Sequence, residues 1–206
     1  MTAAAESPEP EWVSPEAYLE RERNAASRSE YRDGRIMAMT AGPEEHSLLS
    51  VNLTALLHSQ LRGGSCRVYN SDLKVRLPNT LRYVYPDATV VCGPSEFQDE
   101  RKDILTNPTV ILEVLSDSTE AYDRGEKWER YQRLPSLREY VLVSQSHATV
   151  ERYCRQGDLW IYALTSGLEA SVMLESIGVT LPLADIYEGI TPASLPADEN
   201  SLPQGD

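Results

Sequence analysis

The chain has 206 residues, of which 41% are hydrophobic and 25% charged, a composition typical of a soluble globular domain. It excludes collagen-like, coiled-coil and wholly disordered chains. With 19 Lys and Arg against 32 Asp and Glu, the formal net charge is −13. This balance argues against non-specific binding of a phosphate backbone over the whole surface, although it leaves room for a local basic groove.

Cysteine usage and the termini point to an intracellular protein. The sequence contains three cysteines, Cys66, Cys92 and Cys154, and no two of them have CxxC spacing. An odd number without this motif favours buried free thiols in a reducing compartment. The acidic N-terminus lacks the apolar core of a signal peptide, and no apolar run is long enough to cross a membrane. We therefore expect a cytoplasmic protein without membrane association. It should have one domain at 12–190 between flexible tails at 1–11 and 191–206.

Three elements are predicted in the first third of the chain. A Ser-Pro pair at 14–15 predicts a short helix that continues to about residue 23. Residues 29–40 predict two strands around an Asp-Gly turn. Residues 43–62 carry leucines at helical spacing, followed by two glycines, and predict a longer helix that ends at those glycines.

The middle of the chain changes to strand patterns. Strands are predicted at 66–70, 72–77 and 81–92. The last of these has Asp87 in its middle, and a polar loop at 93–107 follows it. Residues 109–115 form an almost continuous apolar run, which is typical of a central strand covered on both faces by helices.

The last part of the chain begins with a helix and then returns to strands. Residues 116–134 predict a helix that ends before Pro135. Short polar turns then separate predicted strands at 140–144, 149–155 and 159–164, with weaker candidates at 171–175 and 179–181.

Two carboxylates are surrounded by apolar strand sequence. Glu113 lies within the run 109–115, and Asp87 is flanked by valines, tyrosine and alanine. Ionised carboxylates are costly to bury unless they are paired, hydrogen-bonded or bound to a cation. A structural salt bridge explains either acid equally well when each is taken alone. Taken together, on neighbouring strands, they favour a shared Mg²⁺ or Mn²⁺ ion.

Lys127 follows Glu113 by fourteen residues, on the predicted helix that leaves the strand. Such a helix folds back across the sheet, so the lysine can reach the end of the strand. The alternative, which spacing alone favours, is an exposed i,i+4 pair with Asp123. Phosphate-binding glycine loops, HExxH and GxSxG motifs are absent from the sequence.

An ordered set of motifs resembles the Uma-type restriction endonuclease family of the PD-(D/E)XK nuclease superfamily. It comprises Tyr85-Pro86-Asp87, residues 108–116 around Glu113, residues 118–119, Asp123 to Lys127, Tyr131 and residues 140–143. Upstream pieces agree: residues 30–35, His46 ahead of Asn52, and residues 72–75. The resemblance covers about residues 12–187.

The resemblance implies an α/β, restriction-endonuclease-like core, with a central mixed β-sheet flanked by helices on both faces. Asp87 and Glu113 would be catalytic metal ligands, and Glu30 would approach the same metal. The lysine position of the (D/E)XK triplet holds Leu115, so Lys127 would be the catalytic lysine, relocated to the helix. His46 would lie at the edge of the site, with a capping or packing role as the equal alternative.

The function implied is metal-assisted hydrolysis of phosphodiester bonds by an Mg²⁺-dependent endodeoxyribonuclease, with DNA as substrate. A homodimer is expected, because paired cuts need two sites. Two alternatives stay open at this point. One is a nuclease-fold protein that binds nucleic acid or a protein partner without cutting. The other is a structural module whose carboxylates are salt-bridged.

Overall fold

In the computed structural model, which describes residues 12–78, 81–116 and 119–194, helices cover both faces of a mixed sheet. The helices are α1 (Pro15–Glu22), α2 (Glu44–Leu61), α3 (Glu120–Tyr122), α4 (Trp128–Tyr131) and α5 (Leu183–Ile186). A π-helical turn, Asp123–Lys127, joins α3 to α4. The expected α/β class is therefore confirmed.

Most of the strands belong to two sheets. The strands are β1 (Ser29–Arg32), β2 (Arg35–Ala38), β3 (Cys66–Asn70), β4 (Lys74–Leu77), β5 (Arg82–Val84), β6 (Ala88–Cys92), β7 (Ile104–Leu105), β8 (Val110–Leu115), β9 (Glu139–Ser144), β10 (Thr149–Gln156), β11 (Leu159–Ser166), β12 (Ser171–Leu174) and β13 (Val179–Pro182). One sheet has the order β2-β1-β5-β4-β7, and the larger sheet has the order β11-β10-β9-β8-β6-β3. β12 and β13 form a separate hairpin.

The larger sheet is mixed, because β8 pairs parallel with β9 and antiparallel with β6. Every residue of β8 is buried, as its continuous apolar sequence predicts. On one face, the buried leucines of α2 pack in a core cluster with β8, the β12–β13 hairpin and α5. On the other face, Tyr131 of α4 packs in a second cluster with β8 and β9.

The first helix and hairpin agree with the sequence prediction. The Ser14 side chain caps α1 by accepting a hydrogen bond from the Ala17 backbone N–H at 3.2 Å. Between β1 and β2, Asp33 and Gly34 have φ angles of 48° and 94°. Positive φ at both central residues is the geometry that an Asp-Gly hairpin turn requires.

The prediction of one continuous strand at 81–92 is wrong. β5 belongs to the smaller sheet and β6 to the larger one, so the chain passes from one sheet to the other between Val84 and Ala88. Pro86 lies at this break, where a residue without a backbone N–H is readily accommodated. Asp87 consequently lies directly before β6 and not in mid-strand.

The predicted helix at 116–134 is also different in detail. Its described part is interrupted by the π-helical turn, and α4 ends at Tyr131. A π-helical turn contains one residue more per hydrogen-bonded ring than an α-helix, and such turns occur frequently at functional sites. Residues 117–118 lie outside the described residues. The short β7 and α5 were not predicted.

The expectation of three free thiols is wrong for two of them. Cys66 and Cys92 are register partners on β3 and β6 and form a disulfide, while Cys154 is free and buried. CxxC spacing is a local signal, whereas these two cysteines are 26 residues apart and are brought together by the pairing of two strands.

The predicted tails fall largely outside the structural description. Residues 1–11 and 195–206 lie outside the described residues. At 191–194 the chain is still paired, because the Ala193 N–H donates to the Ser146 carbonyl at 2.7 Å. Within the described ranges, no helix has both the length and the apolar character needed to span a bilayer.

Candidate active site

Asp87 and Glu113 come together where β6 and β8 pair. Ala88 lies opposite Leu112 in this antiparallel ladder, and continuing the register by one residue puts Asp87 opposite Glu113. The Val114 backbone N–H donates to Asp87 Oδ2 at 2.7 Å. Both carboxylates line the same cavity, so the expected adjacency of these two acids is found.

Lys127 extends from the π-helical turn into this cavity. Its Nζ lies 2.9 Å from Glu113 Oε1 and 2.9 Å from Asp123 Oδ1. The i,i+4 pair with Asp123 therefore exists, but the prediction that it is exposed is wrong. The Lys127 side chain is 8% exposed and that of Asp123 is 3% exposed, so the pair belongs to the interior.

Glu30 reaches the cavity from β1, in the smaller sheet. Its Oε2 accepts a hydrogen bond from the Arg32 guanidinium at 2.7 Å, and its Oε1 accepts one from the Tyr85 backbone N–H at 3.4 Å. Lys127 Nζ lies 3.9 Å from Glu30 Oε1. The site is thus built from both sheets, and both oxygens of Glu30 already have protein partners.

His46, in the first turn of α2, lies at the edge of the cavity. Its Nε2 is 3.0 Å from Asp87 Oδ1. The hydrogen bond with Asp87 raises the pKa of His46 against the opposing effect of burial. The structure therefore places His46 beside a site residue, with its Nδ1 buried and without a hydrogen-bond partner among the described residues.

Sequence reasoning missed two residues of this cluster. Asp123 lines the cavity, and Tyr131 donates a hydrogen bond to Glu113 Oε1 at 2.8 Å. The spacing of Asp123, Lys127 and Tyr131 at successive steps of four residues was the available signal. That spacing puts three side chains on one helix face, but it does not say whether the face is buried.

Burial controls the electrostatics of the cluster. Desolvation, with Asp123 and Asp87 nearby, raises the pKa of Glu113 to about 8 despite the opposing influence of Lys127. Desolvation alone would lower the pKa of Lys127, but Glu113, Glu30 and Asp123 hold it well above its ordinary value. The lysine is therefore a cation at neutral pH, in contact with a carboxyl that ionises reluctantly.

The acid content of the cavity fits a bound divalent cation. Within the described residues, no three His, Cys, Asp or Glu side chains are arranged to hold one metal ion. However, Mg²⁺ retains several waters and is usually held by one or two carboxylates, which Asp87 and Glu113 can supply. Among the described residues, four carboxylates line the cavity, Glu30, Asp87, Glu113 and Asp123, together with two strongly basic side chains, Arg32 and Lys127. Asp123 Oδ1 is buried and lies 2.9 Å from the Lys127 ammonium. When all four acids are ionised, two formal negative charges are left for a cation.

The whole fold is similar to that of a solved structure. A crystal structure described as "a putative nuclease belonging to DUF820", from Anabaena variabilis, matches with a TM-score of 0.69 over 85% of this chain and 98% of that chain. At 17% sequence identity, this likeness shows the fold alone.

The chain belongs to the Uma2 family, described as "Putative restriction endonuclease", whose model matches residues 15–184. Two proteins of Synechocystis sp. are similar. The "Uncharacterized protein slr1290" is 39% identical over 86% of this chain and 93% of its own length. The "Uncharacterized protein sll1609" is 32% identical over 75% and 88%, respectively. The family expected from the motifs is confirmed.

Proposed function

We propose that this protein is a divalent-metal-dependent endonuclease that hydrolyses phosphodiester bonds of DNA in the cavity between β6, β8 and the π-helical turn. One observation carries the proposal: Lys127 Nζ lies 2.9 Å from Glu113 Oε1, in a cavity that Asp87 also lines. Two acids with an adjacent buried lysine suit phosphoryl chemistry, which depends mainly on positioning and charge stabilisation.

Asp87 and Glu113 are the residues that would hold Mg²⁺ or Mn²⁺. Asp87 is well placed because Val114 N–H fixes one of its oxygens. Lys127 and Tyr131 both contact Glu113 through its Oε1 atom. When bound, the cation supplies charge that polarises the phosphodiester and makes water more acidic.

Lys127 would stabilise negative charge on the phosphate oxygens and orient the attacking water. Its raised pKa keeps the ammonium protonated at neutral pH, and its burial, with the side chain 8% exposed, strengthens its interaction with an anion. Glu30 was expected as a metal ligand. Its contacts with Arg32, Tyr85 and Lys127 favour a role in positioning the lysine.

The homodimer is also a proposal, and β11 is the surface that supports it. β11 is an edge strand of the larger sheet, contains no charged residue, and exposes Leu159, Ile161 and Leu164. Long, uncharged edge strands are surfaces where further strands pair. A second copy could pair with β11 antiparallel about a twofold axis.

We also propose that residues 12–190 form one domain and that the protein is cytoplasmic. The family match over residues 15–184 supports a single domain. The Cys66–Cys92 disulfide weakens the cysteine argument for the cytoplasm, because structural disulfides are rare there.

A protein of nuclease fold that binds without cutting is the second candidate. The observation that favours it is that no three-ligand metal cluster exists among the described side chains. The net charge of −13 also disfavours general binding of DNA.

Cleavage of supercoiled plasmid separates these candidates. The wild type should nick the plasmid in Mg²⁺ but not in EDTA. Asp87→Asn and Glu113→Gln should be inactive. Arg133→Ala, which removes an exposed pair with Glu129, is the matched control and should cut normally. Intact plasmid over a full series of divalent metals, with Mg²⁺ binding detected by calorimetry, would favour the non-cutting alternative. A parallel assay on labelled RNA and DNA oligonucleotides decides the substrate.

A further inference from the structure

A groove extends from the active-site cavity along one face of α2. Its volume is about 710 Å³. Residues 39–42, His46 and Asp87 line both the groove and the cavity, so the two spaces adjoin each other. The rest of the wall comes from α2 between Ser47 and His58, from residues 70–71 at the end of β3, and from Arg28. We call this space the α2 groove.

The α2 groove differs in charge from the protein as a whole. From His46 to Leu61, α2 contains no Asp, Glu, Lys or Arg. Among the described residues that line the groove, Asp87 is the one carboxylate, and it lies at the active-site end. Arg28, His46 and His58 are the basic side chains; Arg28 also pairs with Asp72 at 2.9 Å, and His46 contacts Asp87 at 3.0 Å. In a chain with a net charge of −13, the wall of the groove thus carries little net negative charge.

The groove also presents apolar and hydroxyl groups in separate rows. Val51, Ala55 and His58 are exposed at helical positions i, i+4 and i+7, which lie on one helix face. Val51 is 62% exposed, although it is a large apolar side chain. Ser47, Ser50 and Thr54 lie on the same wall, where the Ser50 and Thr54 hydroxyls donate to backbone carbonyls of α2. Apolar surface suits sugar and base faces, whereas the Ser47 hydroxyl and the histidines suit phosphates.

We propose that the α2 groove holds one strand of the nucleic acid substrate on one side of the bond that is cut. This inference rests on the proposed nuclease function, because the groove leads directly to Asp87. The sugar and base faces of the strand pack against Val51 and Ala55, and its phosphates face Arg28 and His58. The α2 groove would thus allow an acidic protein to accept a polyanion beside four carboxylates.

Charge substitutions at Val51 test the groove without touching the site residues. The probe is a fluorescein-labelled single-stranded DNA oligonucleotide, bound in EDTA at low salt and followed by anisotropy. Val51→Glu should raise Kd about tenfold and Val51→Lys should lower it severalfold, the scale of one charge near a phosphate. Because the two variants share one position, opposite shifts cannot arise from a common folding defect.

Ser59 supplies the matched control on the same helix. It is exposed and does not line the groove, so Ser59→Glu and Ser59→Lys should change Kd by less than about twofold. In Mg²⁺, Val51→Glu should raise KM with kcat nearly unchanged, because the substitution is outside the reacting centre.

The outcomes separate this inference from the proposed function. If the wild type cuts DNA and the Val51 variants behave like the Ser59 variants, the groove is wrong and the nuclease function stands. If the wild type never cuts but Val51 substitutions shift Kd as expected, the groove stands and the nuclease function is wrong. Wild-type protein that fails to bind the oligonucleotide would overturn the groove assignment.

Discussion

Replacing Lys127 with methionine should destabilise the fold, because the lysine neutralises buried acids. The substitution keeps most of the side-chain volume and removes the charge. Lys127 Nζ has Glu113 and Asp123 oxygens at 2.9 Å, in side chains that are 4% and 3% exposed. Removing one member of a buried ion pair costs about 3–5 kcal/mol, since the remaining charge has no compensation.

The loss should depend on pH in a defined direction. The pKa of Glu113 is raised from 4.5 to about 8, so the folded protein holds a proton that the unfolded chain releases. Stability therefore falls as pH rises between these values. Lys127 opposes this rise in pKa, so the pKa of Glu113 should be higher still in Lys127→Met. The difference between variant and wild type should then grow as pH increases past about 8.

Urea unfolding at pH 6 and pH 9 in EDTA measures the effect. Lys127→Met with Glu113→Gln should lose about 1–3 kcal/mol less than the sum of the single losses, because residues in contact couple. Arg133→Met, in an exposed pair, should cost less than about 1 kcal/mol. A Lys127→Met protein as stable as the wild type at both pH values would refute the buried-charge argument.

Three further predictions follow from other parts of the molecule. Mg²⁺ should raise the Tm of the wild type by mass action but not that of Asp87→Asn; an equal rise in both would contradict the metal-ligand role. The hydrogen bond from Arg23, helped by Lys74, lowers the pKa of Asp103 to about 2. Its stabilisation is thus present above the ordinary value of 3.8 and is lost as pH falls through about 2. Asp103→Asn should therefore lower the free energy of unfolding by about 1 kcal/mol at pH 6, after allowance for partial exposure, and by progressively less in acid. Unfolding followed by circular dichroism measures this loss, and a loss that does not change with pH would show that the prediction is wrong. Ile161→Lys on β11 should give a monomer by sedimentation velocity, and an unchanged dimer would exclude that edge.

Several elements of the fold could be predicted from the sequence because they are determined by residues that are neighbours in the chain. The Ser-Pro helix start, the Asp-Gly hairpin and the leucines of α2 each depend on neighbouring residues. The break at Pro86 could not be predicted in the same way, since either half of 81–92 is good strand sequence. The division depends on which sheet each half joins, and this is a property of distant strands.

The candidate site shows the same division between local and distant information. Apolar surroundings marked Asp87 and Glu113, and the family motifs marked Lys127. The burial of Asp123 could not be predicted, because its spacing from Lys127 is equally typical of an exposed pair. Glu30 arrives from a different sheet. Its partner Arg32 is two residues away on β1, whereas its approach to Lys127 at 3.9 Å depends on how that sheet meets the rest of the site.

The π-helical turn makes the length of the chain, and not only the identity of its residues, a determinant of the candidate site. Gly125 lies in the turn, and a Cβ added there would meet no neighbouring atom within 4 Å, so a side chain is sterically tolerated at that position. Deleting the same residue would convert the turn to an α-helix and rotate one part of the segment relative to the other by about 100°. Lys127 would then point away from Glu113. Variation that preserves function should therefore consist of substitutions in residues 123–127, while single-residue deletions are eliminated.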